Sequence, residues 1–177
     1  AEMCAAAIRN LFQEDTNQLK SIDLLCCGTS TPDQIIPSHA VMVHGNLPET
    51  NNIEVVSPAG ACCSGMHAFK YAYLSLKTGE KDKAVSTGSE RSAAMMTKGM
   101  FEEEVQVAEK IQEQPYLAFE KDFLRWMLSD GAGAALLTSE PNKTGLSLRI
   151  DWIDTYSFAN ELEACMYAGA DKVDGIL

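Results

Sequence analysis

Met3, Ala6, Ala7, Leu11 and Phe12 recur at helical spacing, which predicts a helix from Met3 to Phe12 lying on a sheet through that stripe. The polar stretch from Gln13 to Lys20 ends it. Ile22-Asp23-Leu24-Leu25-Cys26-Cys27 is a short apolar run that predicts a buried parallel strand, broken by the turn-rich Gly28-Thr29-Ser30-Thr31-Pro32-Asp33. Pro37 to Gly45 has Pro near a helix start and Gly at its end. Ile53 to Val56 predicts a second strand, Lys83 to Glu90 a third, and Ala134 to Thr138 a fourth. Between the second and third, Ala68, Ala72 and Leu76 fall four apart with Phe69 and Tyr73 beside them, and Lys77-Thr78-Gly79 marks a helix end. Pro115 to Asp122 reads as loop. Leu146, Leu148, Ile150 and Trp152 alternate with polar residues and predict a half-exposed fifth strand over Leu146 to Tyr156. Ser157 to Leu177 shows no clear element.

Helix and strand therefore alternate through the first half of the chain, the signature of an α/β fold: a mostly parallel sheet with helices on both faces. Ligands of such sheets bind beyond the carboxyl ends of the strands. Thr29, Cys62 and Ser89 all follow strand ends and are expected to share one rim.

Composition narrows the class. The chain has 177 residues, 46% hydrophobic and 22% charged, as in ordinary globular proteins. No apolar run reaches the roughly 18 residues of a membrane span. A formal net charge of −11 disfavours nucleic acid and anionic membrane as partners, since both require clustered Lys and Arg. The start at Ala1-Glu2-Met3-Cys4 shows no secretory signal and suggests a processed or excised chain. Six cysteines, Cys4, Cys26, Cys27, Cys62, Cys63 and Cys165, show neither metal-ligand spacing nor a disulfide framework, so a reducing cytoplasm is expected. His39 and His44 are five apart, share no helix face, and read as packing or surface residues. Met95, Met96 and Met100 read as core, with an apolar channel as the other reading, and Glu102-Glu103-Glu104 with Glu109 and Lys110 read as a charged surface segment. Gly131-Ala132-Gly133 lacks the third glycine of a dinucleotide loop and precedes a strand instead of a helix.

The candidate chemistry lies in Ser57-Pro58-Ala59-Gly60-Ala61-Cys62-Cys63-Ser64-Gly65-Met66-His67-Ala68, where a strand turns tightly into a helix. Small residues let the backbone approach a substrate. A thiol at a helix start feels the positive end of the dipole, which favours the nucleophilic thiolate, and a backbone N–H of the turn can serve an oxyanion. The same residues also fit a buried, inert cysteine pair.

Two segments together carry a resemblance. Ala61-Cys62-Cys63-Ser64-Gly65-Met66-His67-Ala68, with Lys77-Thr78-Gly79 downstream, resembles the nucleophile helix of the thiolase superfamily. Ser129-Asp130-Gly131-Ala132-Gly133-Ala134-Ala135-Leu136-Leu137 resembles a strand of the beta-ketoacyl-[acyl-carrier-protein] synthase III branch, and Cys26 to Pro32 followed by Pro37-Ser38 fits the same branch. The resemblance implies a thiolase-like half with a mixed, mostly parallel five-stranded sheet. Residues 1–177 would form one N-terminal thiolase-like domain without its opening strand and without the second half. It implies a catalytic cysteine: Cys62, six before Ala68 and seventeen before Gly79, with Cys63 as the alternative register in a C-x-G pattern. The His and Asn that complete such sites belong to the second half, and none of His39, His44 and His67 matches them, so the chain alone is expected to be inactive.

What the resemblance implies for the whole enzyme is a decarboxylative condensation. The cysteine takes an acyl group from a coenzyme A or acyl carrier protein thioester, and a malonyl thioester then attacks it with loss of CO2. No metal and no organic cofactor is implied, and a homodimer is. The alternatives are a thiolase, a hydroxymethylglutaryl-CoA synthase-like enzyme, and a non-catalytic scaffold subunit. Thr29-Ser30-Thr31 stands where the hydroxymethylglutaryl-CoA synthases would place an acidic residue. Outside the superfamily, a cysteine hydrolase or a plain binding domain on a doubly wound sheet remains.

Overall fold

The structure, a computed structural model, describes residues 1–13, 15–97, 113 and 115–163. It comprises two compact units, Ala1–Ser147 and Leu148–Leu177. The first carries helices α1 (Glu2–Leu11), α2 (Thr16–Lys20), α3 (His39–Gly45), α4 (Ser64–Lys77) and α5 (Pro115–Trp126). Its strands are β1 (Leu24–Gly28), β2 (Glu54–Val56), β3 (Lys83–Glu90) and β4 (Gly131–Thr138). The described part of the second unit forms no helix or strand and ends in a turn at Phe158, whose carbonyl accepts from the N–H groups of Glu161 and Leu162.

The four strands stand in the order β2-β1-β3-β4, parallel between β1 and its two neighbours and antiparallel between β3 and β4. Parallel neighbours need a crossover helix. From β1 to β2 the chain steps one way, by α3; from β2 to β3 it steps back past β1, by α4. Right-handed crossovers in opposite directions put the two helices on opposite faces. The glycines confirm which face is which. A Cβ on Gly28 would lie 2.4 Å from Gly65 N and Ser64 C, so the even-numbered residues of β1 face α4. The odd-numbered Leu25, Cys27 and Val85 join Cys4, Ala5, Ile8, Phe12, Ala40 and Val43 in the core on the other face. Each large aliphatic side chain buried there contributes about 1.5–3 kcal/mol of transfer free energy.

Helix α1 turns a different face inward from the one its spacing suggested. Cys4, Ala5 and Ile8 are buried, with Phe12 behind them, whereas Met3 and Leu11 are exposed. The helix is apolar on two sides, and the side bearing Ile8 is the one that packs into the core. Helix α2 falls in the stretch read as a polar terminator; the Asp15 carboxylate caps it, accepting from Asn17 N–H at 2.9 Å and Gln18 N–H at 3.4 Å. Pro115–Trp126 is a helix, not a loop. Pro at its first position needs no N–H partner. Tyr116, Phe119, Phe123 and Trp126 recur at helical spacing but are exposed, with Phe119 and Phe123 stacked at 6.0 Å between centroids.

The fifth strand expected over Leu146 to Tyr156 does not form among the described residues, and the sheet there has four strands. The alternation of Leu146, Leu148 and Trp152 serves no buried face, since all three are exposed. Met95 is exposed rather than core; Met100, Glu102 to Glu104, Glu109, Lys110 and Cys165 lie outside the described residues.

Gly28→Ala is expected to destabilise the fold by about 1–3 kcal/mol, because its methyl meets helix backbone and cannot be relieved by a rotamer change. Gly131→Ala, where a Cβ meets nothing within 4 Å, serves as the control and is expected to leave the denaturation midpoint within error. Chemical denaturation of the two variants side by side checks the difference.

Candidate active site

A parallel sheet in the order β2-β1-β3 reverses its winding between β1 and β3, and a crevice opens beyond the strand ends at that reversal. The cleft is found there. It holds about 260 Å3 and is lined by Gly28 at the end of β1, Gly88 to Glu90 at the end of β3, Cys62, Ser64 and Gly65 at the start of α4, and Ser129 and Gly131 before β4.

The backbone lays Cys62 there by three local devices. Gly60 has φ 143° and Ala61 φ 43°, so the chain passes through left-handed conformations immediately before the cysteine. For Ala61 that geometry costs on the order of 1–2 kcal/mol and must be held by its surroundings. His67, one turn into α4, helps to hold it: its Nδ1 donates to the Ala59 carbonyl at 3.3 Å, and a Cβ on Gly60 would lie 2.8 Å from the same nitrogen. The segment Ala61–Cys63 then forms one 3-10 turn, with Cys63 N–H donating to the Gly60 carbonyl at 3.0 Å, and runs directly into α4. Helix α4 itself is seated by small residues: a Cβ on Gly28 would lie 2.4 Å from Gly65 N, and a Cβ on Gly65 would be in ordinary contact with the Gly88 Cα at 3.5 Å. Ala68, Ala72 and Leu76 bury the stripe below, and Gly79, at φ 75°, closes the helix as the sequence implied.

Both Cys62 and Cys63 are exposed, and of the two only Cys62 lines the cleft. Of the three residues expected on one rim, Cys62 and Ser89 line the cleft, while Thr29 lines a second, larger cavity that also touches Ser89. The loop Thr29-Ser30-Thr31 is tied to the cleft by Glu90. Its carboxylate accepts from Ser30 N–H at 2.8 Å and from the Thr31 hydroxyl at 2.7 Å, and Thr31 Oγ1 in turn accepts from Arg91 N–H at 2.7 Å. Ser57 does the same for α3, its hydroxyl oxygen accepting from Ala40 N–H at 2.7 Å. Asp130, between the lining residues Ser129 and Gly131, accepts through its carboxylate from Ala93 N–H at 2.8 Å.

The three histidines are used elsewhere. His39 is buried against Ser89, with Nε2 3.0 Å from its Oγ; His44 Nε2 lies 3.1 Å from the Asn51 carbonyl; His67 supports the turn. Among the described residues no histidine or asparagine lines the cleft, and no cluster of three or more His, Cys, Asp or Glu has the geometry of a metal site. No described helix is long and apolar enough to cross a membrane. The sequence reading missed Glu90 and Ser64, which bound the cleft. Their signal was present, since Glu90 ends the third strand and Ser64 opens the helix after the cysteines.

The remaining cysteines differ sharply. Cys26 is fully buried under α4, and burial, aided by the charge of Glu54, pushes its thiol up to about 12. Native alkylation with iodoacetamide at pH 9 is therefore expected to label Cys62 and Cys63 within minutes and to leave Cys26 unlabelled until denaturant is added. A thiol whose value lies so high is almost wholly protonated at that pH, and the thiolate is the reacting form. Peptide mapping by mass spectrometry reads the result.

Comparison with known proteins bears on these features. Residues 52–142, which include the turn, α4, β3 and β4, match the family model described as "Beta-ketoacyl synthase, N-terminal domain". A beta-ketoacyl-[acyl-carrier-protein] synthase III of Neisseria gonorrhoeae is 29% identical over 90 residues, which are 51% of this chain and 28% of that protein. Among solved structures, a tetronic acid condensing enzyme superposes with a TM-score of 0.59 at 19% identity, covering 81% of this chain and 38% of its own. The synthase III of Thermus thermophilus does so with a TM-score of 0.54 at 16% identity, covering 80% and 36%. At those identities the superpositions speak for the fold alone. The chain thus spans well under half the length of the proteins it matches. With the family model covering more than half of its residues, the chain belongs to the beta-ketoacyl synthase family, over that family's N-terminal domain.

Proposed function

We propose that this chain supplies the nucleophile half of an acyltransferase that condenses an acyl thioester with a malonyl thioester, as in the synthase III branch. The observation that carries the reading is the position of Cys62: exposed, at the start of α4, and lining the cleft beyond the ends of β1 and β3. The Cys62 sulfur attacks the thioester carbonyl, the tetrahedral oxygen is held by backbone N–H groups of the turn, and the carrier leaves as its thiol. The acyl group then waits on sulfur beside the second substrate, which turns a bimolecular carbon–carbon bond formation into a local one. Loss of CO2 from the malonyl thioester generates the attacking carbanion, and the new bond forms as the cysteine sulfur departs. The acyl carriers are coenzyme A or the phosphopantetheine of a carrier protein; they arrive as substrates, and the reaction calls for no metal or organic cofactor. Cys63, beside Cys62 but outside the cleft lining, is assigned no chemical role.

The groups that assist decarboxylation are expected from a second half, since no described histidine or asparagine lines the cleft. The chain alone is therefore expected to release no CO2 from malonyl-CoA above background. In the two-half protein, incubation with an acyl-CoA is expected to add one acyl group, located on Cys62 by mass spectrometry of the intact protein and its peptides. Cys62→Ala abolishes the adduct and Cys63→Ala retains it. An adduct on Cys63 alone moves the nucleophile to the other register; no adduct at all makes the protein a scaffold. The same reading takes the two-half protein to be a cytoplasmic homodimer, which light scattering at micromolar concentration tests.

A further inference from the structure

Side chains on a helix lean toward its N-terminus and cover the turn before their own Cα. His67 stands one turn into α4, so its ring falls back over Ala59 and Gly60, just ahead of Cys62. The ring is half-buried, and its Nδ1 lies 3.3 Å from the Ala59 carbonyl oxygen. A carbonyl only accepts, so Nδ1 carries a proton in the neutral ring as in the charged one. The ring also lies against the Gly60 Cα: a Cβ there would come 2.8 Å from Nδ1 and 3.0 Å from Cε1. His67 itself does not line the cleft that holds Cys62.

We propose that His67 is the positioning residue of the nucleophile, its Nδ1–H holding the turn in the conformation that sets Cys62 in the cleft. The inference rests on Cys62 as the nucleophile. The segment that carries Cys62 is tied down at both ends. At one end the Ser57 hydroxyl oxygen accepts from Ala40 N–H at 2.7 Å. At the other, Ser64 is buried where the start of α4 meets Gly28. Between these anchors Gly60 and Ala61 both have positive φ, 143° and 43°. Glycine adopts such values freely, whereas an alanine is strained by them. A strained residue keeps its conformation only while its surroundings over-determine it. Cys63 N–H, donating to the Gly60 carbonyl at 3.0 Å, holds the turn from the downstream side. The bond from His67 to the Ala59 carbonyl holds it from the upstream side. Without a donor at residue 67, Ala61 is free to return to the right-handed region. That return rotates the peptide joining Ala61 to Cys62 and carries the sulfur away from the strand ends. The far ring nitrogen, Nε2, takes no part in the bond to Ala59, so an amide nitrogen in the place of Nδ1 serves as well.

The test compares the two-half protein with its His67→Asn and His67→Leu forms. The two replacements share one shape; Asn keeps a donor where Nδ1 was, and Leu, a good helix former, has none. Each protein is mixed with acetyl-CoA over a range of concentrations, and acylation of Cys62 is followed by rapid quenching and mass spectrometry. In the Leu form the limiting rate is expected to fall about ten- to a hundredfold, the scale of loss that a 1 Å misplacement causes. The half-saturating concentration is expected to stay unchanged, since His67 does not line the cleft. The Asn form is expected to acylate at close to the unsubstituted rate. A Leu form as fast as the unsubstituted protein overturns the proposal, because the bond then does nothing for Cys62. An Asn form as slow as the Leu form overturns it too, because the donor is then not what matters. Denaturation midpoints are measured beside the rates; should the Leu form fail to fold, His67→Met, likewise a helix former without a donor, takes its place in the same comparison. Acylation of Cys63 in place of Cys62 in the unsubstituted protein defeats the choice of nucleophile, and this inference with it. Acylation of Cys62 at a rate indifferent to residue 67 defeats the inference alone.

Discussion

Backbone meets backbone where α4 rests on the sheet, and everything about the cleft depends on that contact. Gly28, Gly65 and Gly88 let a helix start press against the ends of two strands with no side chain between them. Ordinary helix–sheet packing keeps the elements apart by the thickness of a side-chain layer. Here that layer is absent at one corner, where Gly28 meets the backbone of Ser64 and Gly65, and present again at Ala68, Ala72 and Leu76. The cysteine just upstream is carried to the crevice that the strand order creates. Sheet topology makes the crevice, and the missing methyl group of Gly28 lets the start of α4 reach it.

The turn before α4 trades local strain for position. Ala61 sits in a conformation that L-residues avoid, and Gly60 in one that is strained for any residue with a Cβ. The imidazole of His67 fills the space beside Gly60, and Glu90, Ser57 and Asp130 pin the neighbouring loops through short hydrogen bonds to backbone. Glu90 is also the one ionisable carboxylate in the cleft lining among the described residues. Together with a net charge of −11, it sets an electrostatic condition on substrates: an acidic carrier docking on this unit alone would be repelled at long range.

Much of this was legible because the sequence states it redundantly. The strand Lys83–Glu90 and the helix from Ser64 to Lys77 each combine periodicity, small residues at the contact and a clear terminator, and the structure keeps them with little change. The cysteine turn was readable for the same reason. Errors arose where pattern and burial parted. The exposed Met3 and Leu11 mimic a core stripe on α1, and Leu146, Leu148 and Trp152 alternate without a partner strand. In α5 the aromatic spacing was true to a helix, but Pro115 and the polar residues around it read as loop. Tertiary facts were out of reach altogether. Nothing in the spacing of Cys4, His39, Thr87 and Ser89 along the chain announces that Cys4 meets Thr87 and His39 meets Ser89, since strand alternation and a crossover helix bring them together.

Strand β3 separates two environments by the width of a single chain. Its residues point by turns to opposite sides, Ser86 and Gly88 toward α4, Thr87 and Ser89 toward His39 and Cys4. At its carboxyl end the partition thins, and Ser89 and Glu90 border the cleft as well as the second cavity. A hydroxyl at that junction has two masters: whichever way its proton points, one side gains a donor that the other gives up. The cleft and the second cavity thus share a wall made of two consecutive residues, Ser89 and Glu90.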